Sequence, residues 1–138
     1  MHHFTCLLTL SLSMSITLAS HAVEQSRLIV VGDLDAFIVG QDGYCGARTN
    51  VPSSDWKKIL VRSDERVWFE AKSLVRSTSF NTSCSGDYSF VPEAGQAYII
   101  RYWLDAKQCH FELFRVVPRA DPVPQALTIS ESQSCLFK

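Results

Sequence analysis

Residues Cys84 to Tyr102 read CSGDYSFVPEAGQAYIIRY. Two β-rich runs meet there at Pro92-Glu93-Ala94-Gly95. Proline cannot donate to a sheet ladder, and glycine adopts backbone angles closed to other residues. The segment therefore ends one strand and redirects the chain into the next. A tight hairpin would keep these strands and the following one in a single meander. A wider corner would carry the chain from one sheet of a sandwich to the other. Cys84 and Cys109 bear on the choice. In a flat meander they flank the central strand, two strand spacings or about 10 Å apart. That is too far for a bridge, which prefers Cα atoms about 5.5 Å apart. In a sandwich Cys84 can reach Cys109 across the core or at its end. The sandwich is favoured, because it buries such alternating strands on both inner faces.

The next strand alternates cleanly. Tyr98, Ile100, Tyr102 and Leu104 form an apolar face, while Ala97, Ile99, Arg101 and Trp103 form the outer one. With Asp105-Ala106-Lys107-Gln108 as a loop, Leu104 falls opposite Cys109, Tyr102 opposite Phe111 and Ile100 opposite Leu113. On the outer face Trp103 meets His110, Arg101 meets Glu112 and Ile99 meets Phe114. A slip of one residue would destroy every match, so the pattern fixes the register.

Upstream, short β-rich runs alternate with turn residues, and no segment after Val23 keeps a helical period. Arg27–Val31 and Asp33–Val39 read as strands broken by Gly32, followed by the turn Gln41-Asp42-Gly43 and a polar loop over Cys45–Asp55. Lys57–Val61 and Arg66–Lys72 flank Ser63-Asp64-Glu65 as a hairpin. Val67, Phe69 and Ala71 take its core face, and Arg66, Trp68, Glu70 and Lys72 the solvent face. Ser73–Ser83 reads as an irregular Ser/Thr-rich stretch. Strands are expected at 85–91, 96–104 and 109–117. An extended proline-rich connector over Pro118–Pro124 and a short strand at Ala126–Ser130 complete the chain before Cys135.

The N-terminus addresses the chain to export. Phe4–Leu18 is an uncharged run diluted by Ser and Thr, and small residues at Ser20 and Ala22 fit cleavage before Val23. The run is too short and polar to span a membrane, which takes roughly 20 apolar residues. Cys6 has no apolar stretch before it and does not fit a lipid-modified cleavage site. Residues 1–22 are therefore expected to be a signal peptide. The remaining 116 of the 138 residues form one domain of net charge −1. Near-neutrality gives no electrostatic case for nucleic acid or for an anionic membrane. Loss of Cys6 leaves Cys45, Cys84, Cys109 and Cys135, which read as two disulfides with three connectivities open. No Cys-x-x-Cys pair exists and His110 is the only histidine beyond the leader, so neither a metal nor another cofactor is expected.

Phe90-x-Pro-Glu-Ala-Gly-x-x-Tyr98 with Cys109 in the following strand, together with Phe37–Gly43, resembles small exported bacterial β-sandwiches of the transthyretin-like or carboxypeptidase-regulatory-like kind. The resemblance covers about 37–117. It implies an all-β, antiparallel sandwich of seven or eight strands, immunoglobulin/transthyretin-like in class. Such domains serve mostly as binding or accessory modules, so it implies no catalytic residue. The resemblance and the sandwich geometry together pair Cys84 with Cys109, and elimination then pairs Cys45 with Cys135.

Catalytic constellations find little support. A nucleophile–histidine site needs a base, and His110 sits beside Cys109 in a strand, where it reads as a surface residue packed on Trp103. Ser83-Cys84-Ser85-Gly86 lacks the nucleophile-elbow pattern. Asp33/Asp35 and Asp64/Glu65 lie in turn-like segments. Asn81-Thr82-Ser83 matches a glycosylation acceptor; the compartment could be eukaryotic secretory or bacterial, and the resemblance points to bacteria, where the match carries no functional weight. The candidate partner-binding residues are Trp68, Arg101, Trp103 and Phe114, all outward by alternation. If their strands are neighbours, they form an aromatic patch with a cationic edge, a composition enriched at binding hot spots. The default expectation is that Ser73–Ser83 or Pro118–Pro124 covers them, because exposed apolar patches are uncommon on monomers.

The sequence thus points to a monomeric, non-enzymatic, periplasmic or secreted domain with a binding or structural role and an unknown protein partner. An inhibitor or immunity protein that occludes an enzyme, and a hydrolase with an unrecognised site, are the alternatives. Intact-mass measurement of the exported protein should give a chain beginning at Val23. Full-length chain recovered from the membrane fraction would refute that cleavage.

Overall fold

Ser26, Leu28 and Val30 are buried while their neighbours in sequence reach outward, the period-two signature of a strand with one face on a core. In the computed structural model, which describes residues 22–76, 81–105, 108–130 and 135, that strand is β1, Gln25–Val31. It is followed by β2 (Ala36–Gly40), β3 (Thr49–Asn50), a 3-10 turn at Ser53–Asp55, β4 (Ile59–Arg62) and β5 (Val67–Arg76). Then come β6 (Asn81–Phe90), β7 (Ala97–Asp105), β8 (Gln108–Arg115), β9 (Val123–Gln125) and β10 (Thr128–Ile129). They make two five-stranded sheets, β4-β1-β7-β8-β9 and β10-β6-β5-β2-β3.

The inner faces of the two sheets share one core. Leu28, Val30, Ile59, Val61, Tyr98, Ile100 and Leu113 come from the first sheet, and Phe37, Val67, Phe69, Ala71 and Phe90 from the second. Aromatic rings step through it. Phe37 stacks on Phe69 at 5.3 Å and Phe69 on Tyr88 at 5.5 Å, and Tyr88 reaches across to Phe111 at 4.9 Å. Trp56 closes the loop side, donating its indole N–H to the Val51 carbonyl at 2.9 Å. The disulfides are Cys84–Cys109 and Cys45–Cys135, with Cα atoms 6.1 and 5.5 Å apart.

The β7–β8 register is the one read from the sequence, from Ile99↔Phe114 through Leu104↔Cys109. Pro92–Gly95 is a corner between sheets, since β6 and β7 belong to different ones, and Gly95 supplies a φ of +68°. Four expectations change. The domain is not purely antiparallel, because β1 runs parallel to β7. A parallel pair needs a long crossover, and here four of the second sheet's five strands, β2, β3, β5 and β6, are built between its two members. Ser63-Asp64-Glu65 is not a hairpin, because β4 pairs with β1 whereas β5 pairs with β2 and β6. Asp64 takes a φ of +60° and donates its N–H to the Pro92 carbonyl, which makes a second corner. Ser73–Ser83 is not irregular over its described part, 73–76 and 81–83; the expectation for 77–80 lies outside the described residues. β5 runs on to Arg76 and pairs with β6 back from Asn81, with Ser73 and Cys84 buried opposite each other. Finally, Leu104 is only half-buried and Cys109 is exposed, because the core thins at that end. The described residues form ten strands, of which β3, β9 and β10 span two or three residues each.

Gly32 enables the first passage between sheets. Its φ is +132°, and a Cβ there would sit 2.4 Å from the Tyr102 carbonyl oxygen. The two corners are tied at the opposite end. Ser63 N–H donates to the Glu24 carbonyl at 2.9 Å, and Glu93 N–H donates to the Tyr98 hydroxyl oxygen at 2.8 Å. The Ser26 hydroxyl lies 2.7 Å from both the Ser63 hydroxyl and the Glu93 carbonyl. A carbonyl only accepts, so Ser26 spends its one proton on Glu93 and Ser63 must donate to Ser26.

That asymmetry separates two small truncations. Ser26→Ala strips a partner from both Ser63 and the Glu93 carbonyl, whereas Ser63→Ala removes one donor and leaves Ser26 bonded. Leaving buried polar groups unpaired costs about 1–3 kcal/mol. Urea unfolding should therefore rank Ser26→Ala below Ser63→Ala, and the reverse order would mean the proton runs the other way.

Candidate functional site

The two outer faces of the sandwich differ in chemistry. On the second sheet the outward residues mix paired charges with scattered apolar side chains, Ile38, Trp68 and Leu74. Lys72 meets Glu70 at 2.9 Å, and Arg48 grips Asp87 with bonds of 2.9 and 3.1 Å while lying 5.2 Å from the Tyr44 ring centre. On the first sheet the outward residues are largely apolar. Ile29 lies beside Ile99 and Ile99 beside Phe114, with Val31, Trp103 and Leu60 around them and Pro124 beyond Phe114.

Arg101 organises the centre of that face. Its guanidinium carbon lies 5.0 Å from the ring centre of Trp103 and 5.0 Å from that of Phe114. Its Nη2 donates to Glu112 at 2.7 Å. Trp103 stacks nearly flat on His110, with ring centres 4.8 Å apart and planes 12° apart. A cation held over exposed rings gains about 0.5–1 kcal/mol per ring, and an exposed ion pair about 0–1 kcal/mol. These small terms do little for folding. They do hold a long side chain in one place, which lowers the entropic cost of using it in recognition.

Of the four candidate residues, the structure brings Arg101, Trp103 and Phe114 together. Trp68 points outward from the other sheet. It lines a shallow groove of about 470 Å³ with Tyr44, Arg66, Ser89 and Thr128–Ser130, so it does not belong to the patch. The expected cover is also different. Ser73–Arg76 and Asn81–Ser83 belong to strands of the second sheet, and the connector reaches only the edge, where Pro124 pairs opposite Phe114. Trp103 and Phe114 are half-buried by their own neighbours.

Sequence reasoning missed Ile29, Val31 and Leu60 as members of this face. A signal was present in Arg27–Val31, where Leu28 and Val30 point inward and Ile29 and Val31 are apolar as well. A strand apolar on both sides is the pattern of one covered on both sides, yet Val31 is 44% exposed and Leu60 60%.

Other openings carry less. A groove of about 450 Å³ lies where chain 123–129 passes from β8 to β6, lined by Tyr88, Phe111, Leu127 and Ile129 among others. Burial there pushes the Tyr88 phenol above its ordinary pKa. An end opening of about 330 Å³ involves Asp33, Ser73 and Tyr102. The Ser73 hydroxyl there donates to the Asp33 carbonyl at 3.0 Å, and the Asp35 carboxylate accepts from the Leu74 N–H, so both serve the fold. Among the described residues no group of three or more His, Cys, Asp or Glu side chains is placed to hold a metal ion. No described helix is long and apolar enough to cross a membrane. Comparison with known proteins finds no matching family model, no matching curated protein and no matching solved structure.

Thermal melts distinguish this face from the core. Phe69 is fully buried, and Phe69→Ala should cost about 3–5 kcal/mol. Trp103→Ala loses only surface contacts and should cost about 1 kcal/mol or less. Equal losses would mean that Trp103 works as a core residue.

Proposed function

We propose that this chain is an exported, non-enzymatic binding or structural domain, acting in the periplasm or outside the cell through the outer face of its first sheet. The observation that carries the reading is the fixed position of Arg101 between Trp103 and Phe114, on a face otherwise lined by Ile29, Val31, Ile99 and Leu60. Aromatic and arginine side chains are the residues most often found at interface hot spots, and a pre-ordered one loses less entropy on binding. The two disulfides support an oxidising compartment, as does the signal-like run at Phe4–Leu18. The resemblance to transthyretin-like and carboxypeptidase-regulatory-like modules is proposed in the same spirit. Two packed sheets and the corner at Pro92 support it, while the parallel β1–β7 pair departs from its antiparallel form.

A non-catalytic role is supported by the state of the one described histidine. His110 lies flat against Trp103 and, among the described residues, forms no hydrogen bond to a serine, cysteine or carboxylate. The test is capture from an envelope extract with the purified protein as bait. Species retained by the wild type should fall about tenfold or more with Trp103→Ala, the scale of a hot-spot truncation. They should persist with Lys72→Ala on the opposite face. Equal retention by the two variants would move the binding site elsewhere.

A further inference from the structure

The outer face of the first sheet has a composition that complements itself about Ile99. Neighbouring strands lie about 4.8 Å apart, and successive same-face residues on a strand lie about 6.8 Å apart. Ile29 is beside Ile99 on β1, and Arg27 is one step further along β1 in the direction away from Arg101. Phe114 is beside Ile99 on β8, and Glu112 is one step further in the opposite direction, next to Arg101. Arg27 and Glu112 therefore stand on opposite sides of Ile99, each about 8 Å from it on this grid. Leu60 extends the row of Arg27 by one more strand. Trp103 lies two steps from Ile99 along β7. By the same spacings these two are about 12 and 14 Å from Ile99. Leu60 is 60% exposed, and Arg27 makes no ion pair among the described residues.

We propose that the occupant of this face is a second copy of the chain, docked sheet to sheet about a two-fold axis that lies in the interface and passes over Ile99. This deepens the proposed function by naming the partner of the same face, and it replaces the monomer expected from the sequence. An axis perpendicular to the line from Arg27 to Glu112 sets Arg27 of each copy against Glu112 of the other. The same operation carries Trp103 of each copy over Leu60 of the other and brings the two Ile99 side chains together. Every contact is made twice, as an isologous interface requires. Charge complementarity selects a second copy because the face carries both signs, placed so that the operation superposes them. A purely acidic partner would leave Glu112 opposed, and a purely basic one would leave Arg27 opposed. On the second sheet's outer face Glu70–Lys72 and Arg48–Asp87 are closed pairs, whereas here Arg27 has no ion pair of its own among the described residues and would meet a Glu112 that also holds Arg101. Four strand widths by four residue rows give a plate of about 19 by 27 Å. The total is on the order of 1,000 Å², the lower limit of specific interfaces, so the dimer is weak and concentration-dependent.

The experiment has two arms on the purified protein. In the first, Ile99→Cys is oxidised at high protein concentration and run on a non-reducing gel, with Lys72→Cys from the opposite face as control. A cross-linked dimer is expected for Ile99→Cys and not for Lys72→Cys. In the second, sedimentation follows monomer and dimer over a wide concentration series. Arg27→Glu should weaken association about tenfold or more, and adding Glu112→Lys to Arg27→Glu should recover most of it. A wild type that stays monomeric throughout overturns the proposal. So does an Arg27→Glu variant that associates as tightly as the wild type, or equal cross-linking of the two cysteine variants. A monomer whose envelope capture still depends on Trp103 would sink the second copy and leave the binding face standing. If Trp103→Ala unfolds as readily as Phe69→Ala, both readings fall.

Discussion

The fold depends on one constraint: the chain passes repeatedly between its two sheets, and each passage takes polar backbone through or past an apolar interior. At one end this is managed by a small set of buried hydrogen bonds. Ser26 joins the hydroxyl of Ser63 to the carbonyl of Glu93, and Asp64 N–H meets the Pro92 carbonyl. These bonds connect β1 with the β4–β5 and β6–β7 corners. Three segments distant in sequence are thereby held at one point, and the sheets are fixed relative to each other there. Each bond has modest net value in water, yet an unpaired group at the same place is costly. The knot therefore specifies which corners meet more than it stabilises the domain. Gln41 repeats the device nearby, bonding both the N–H and the carbonyl of Arg62 through its side-chain amide.

How much of this could be read from the sequence depended on whether the determining signal was local. The β7–β8 register was legible because the loop is short and side chains alternate strictly, so apolar, aromatic and charged partners all agreed. The Pro92 corner was legible because a Cys84–Cys109 bridge would not fit a flat meander and so favoured a sandwich. The corner at Ser63–Glu65 was not, because a hairpin and a corner have the same turn chemistry. What separates them is Ser63, whose burial against Ser26 is a long-range fact. Ser73–Ser83 misled for a related reason. Serine and threonine are common in loops, but threonine also suits strands, and the small Ser73 fits where β5 and β6 turn their narrow end to the core.

The candidate site was legible in part for similar reasons. Arg101, Trp103 and Phe114 sit on two strands joined by a short loop, so alternation and register placed them together. Trp68 has the same outward parity but belongs to another sheet, and parity alone carries no information about which sheet a strand joins. Ile29, Val31 and Leu60 come from strands whose neighbours were unknown until the parallel β1–β7 pairing appeared. The apolar strip is a property of strand order, and strand order in this chain is set by non-local corners.

The disulfides have a consequence for chain integrity as well as for folding. The bond between Cys84 and Cys109 lies wholly inside the segment closed by Cys45 and Cys135. The molecule is thus a ring within a ring, with a 90-residue separation outside and a 25-residue separation inside. A single peptide-bond cut anywhere between Cys45 and Cys135 releases nothing, because the two pieces remain one covalent body. A cut between Cys84 and Cys109 is bridged twice. A nicked molecule of this design keeps its pieces covalently joined, and only reduction or a second cut can take it apart.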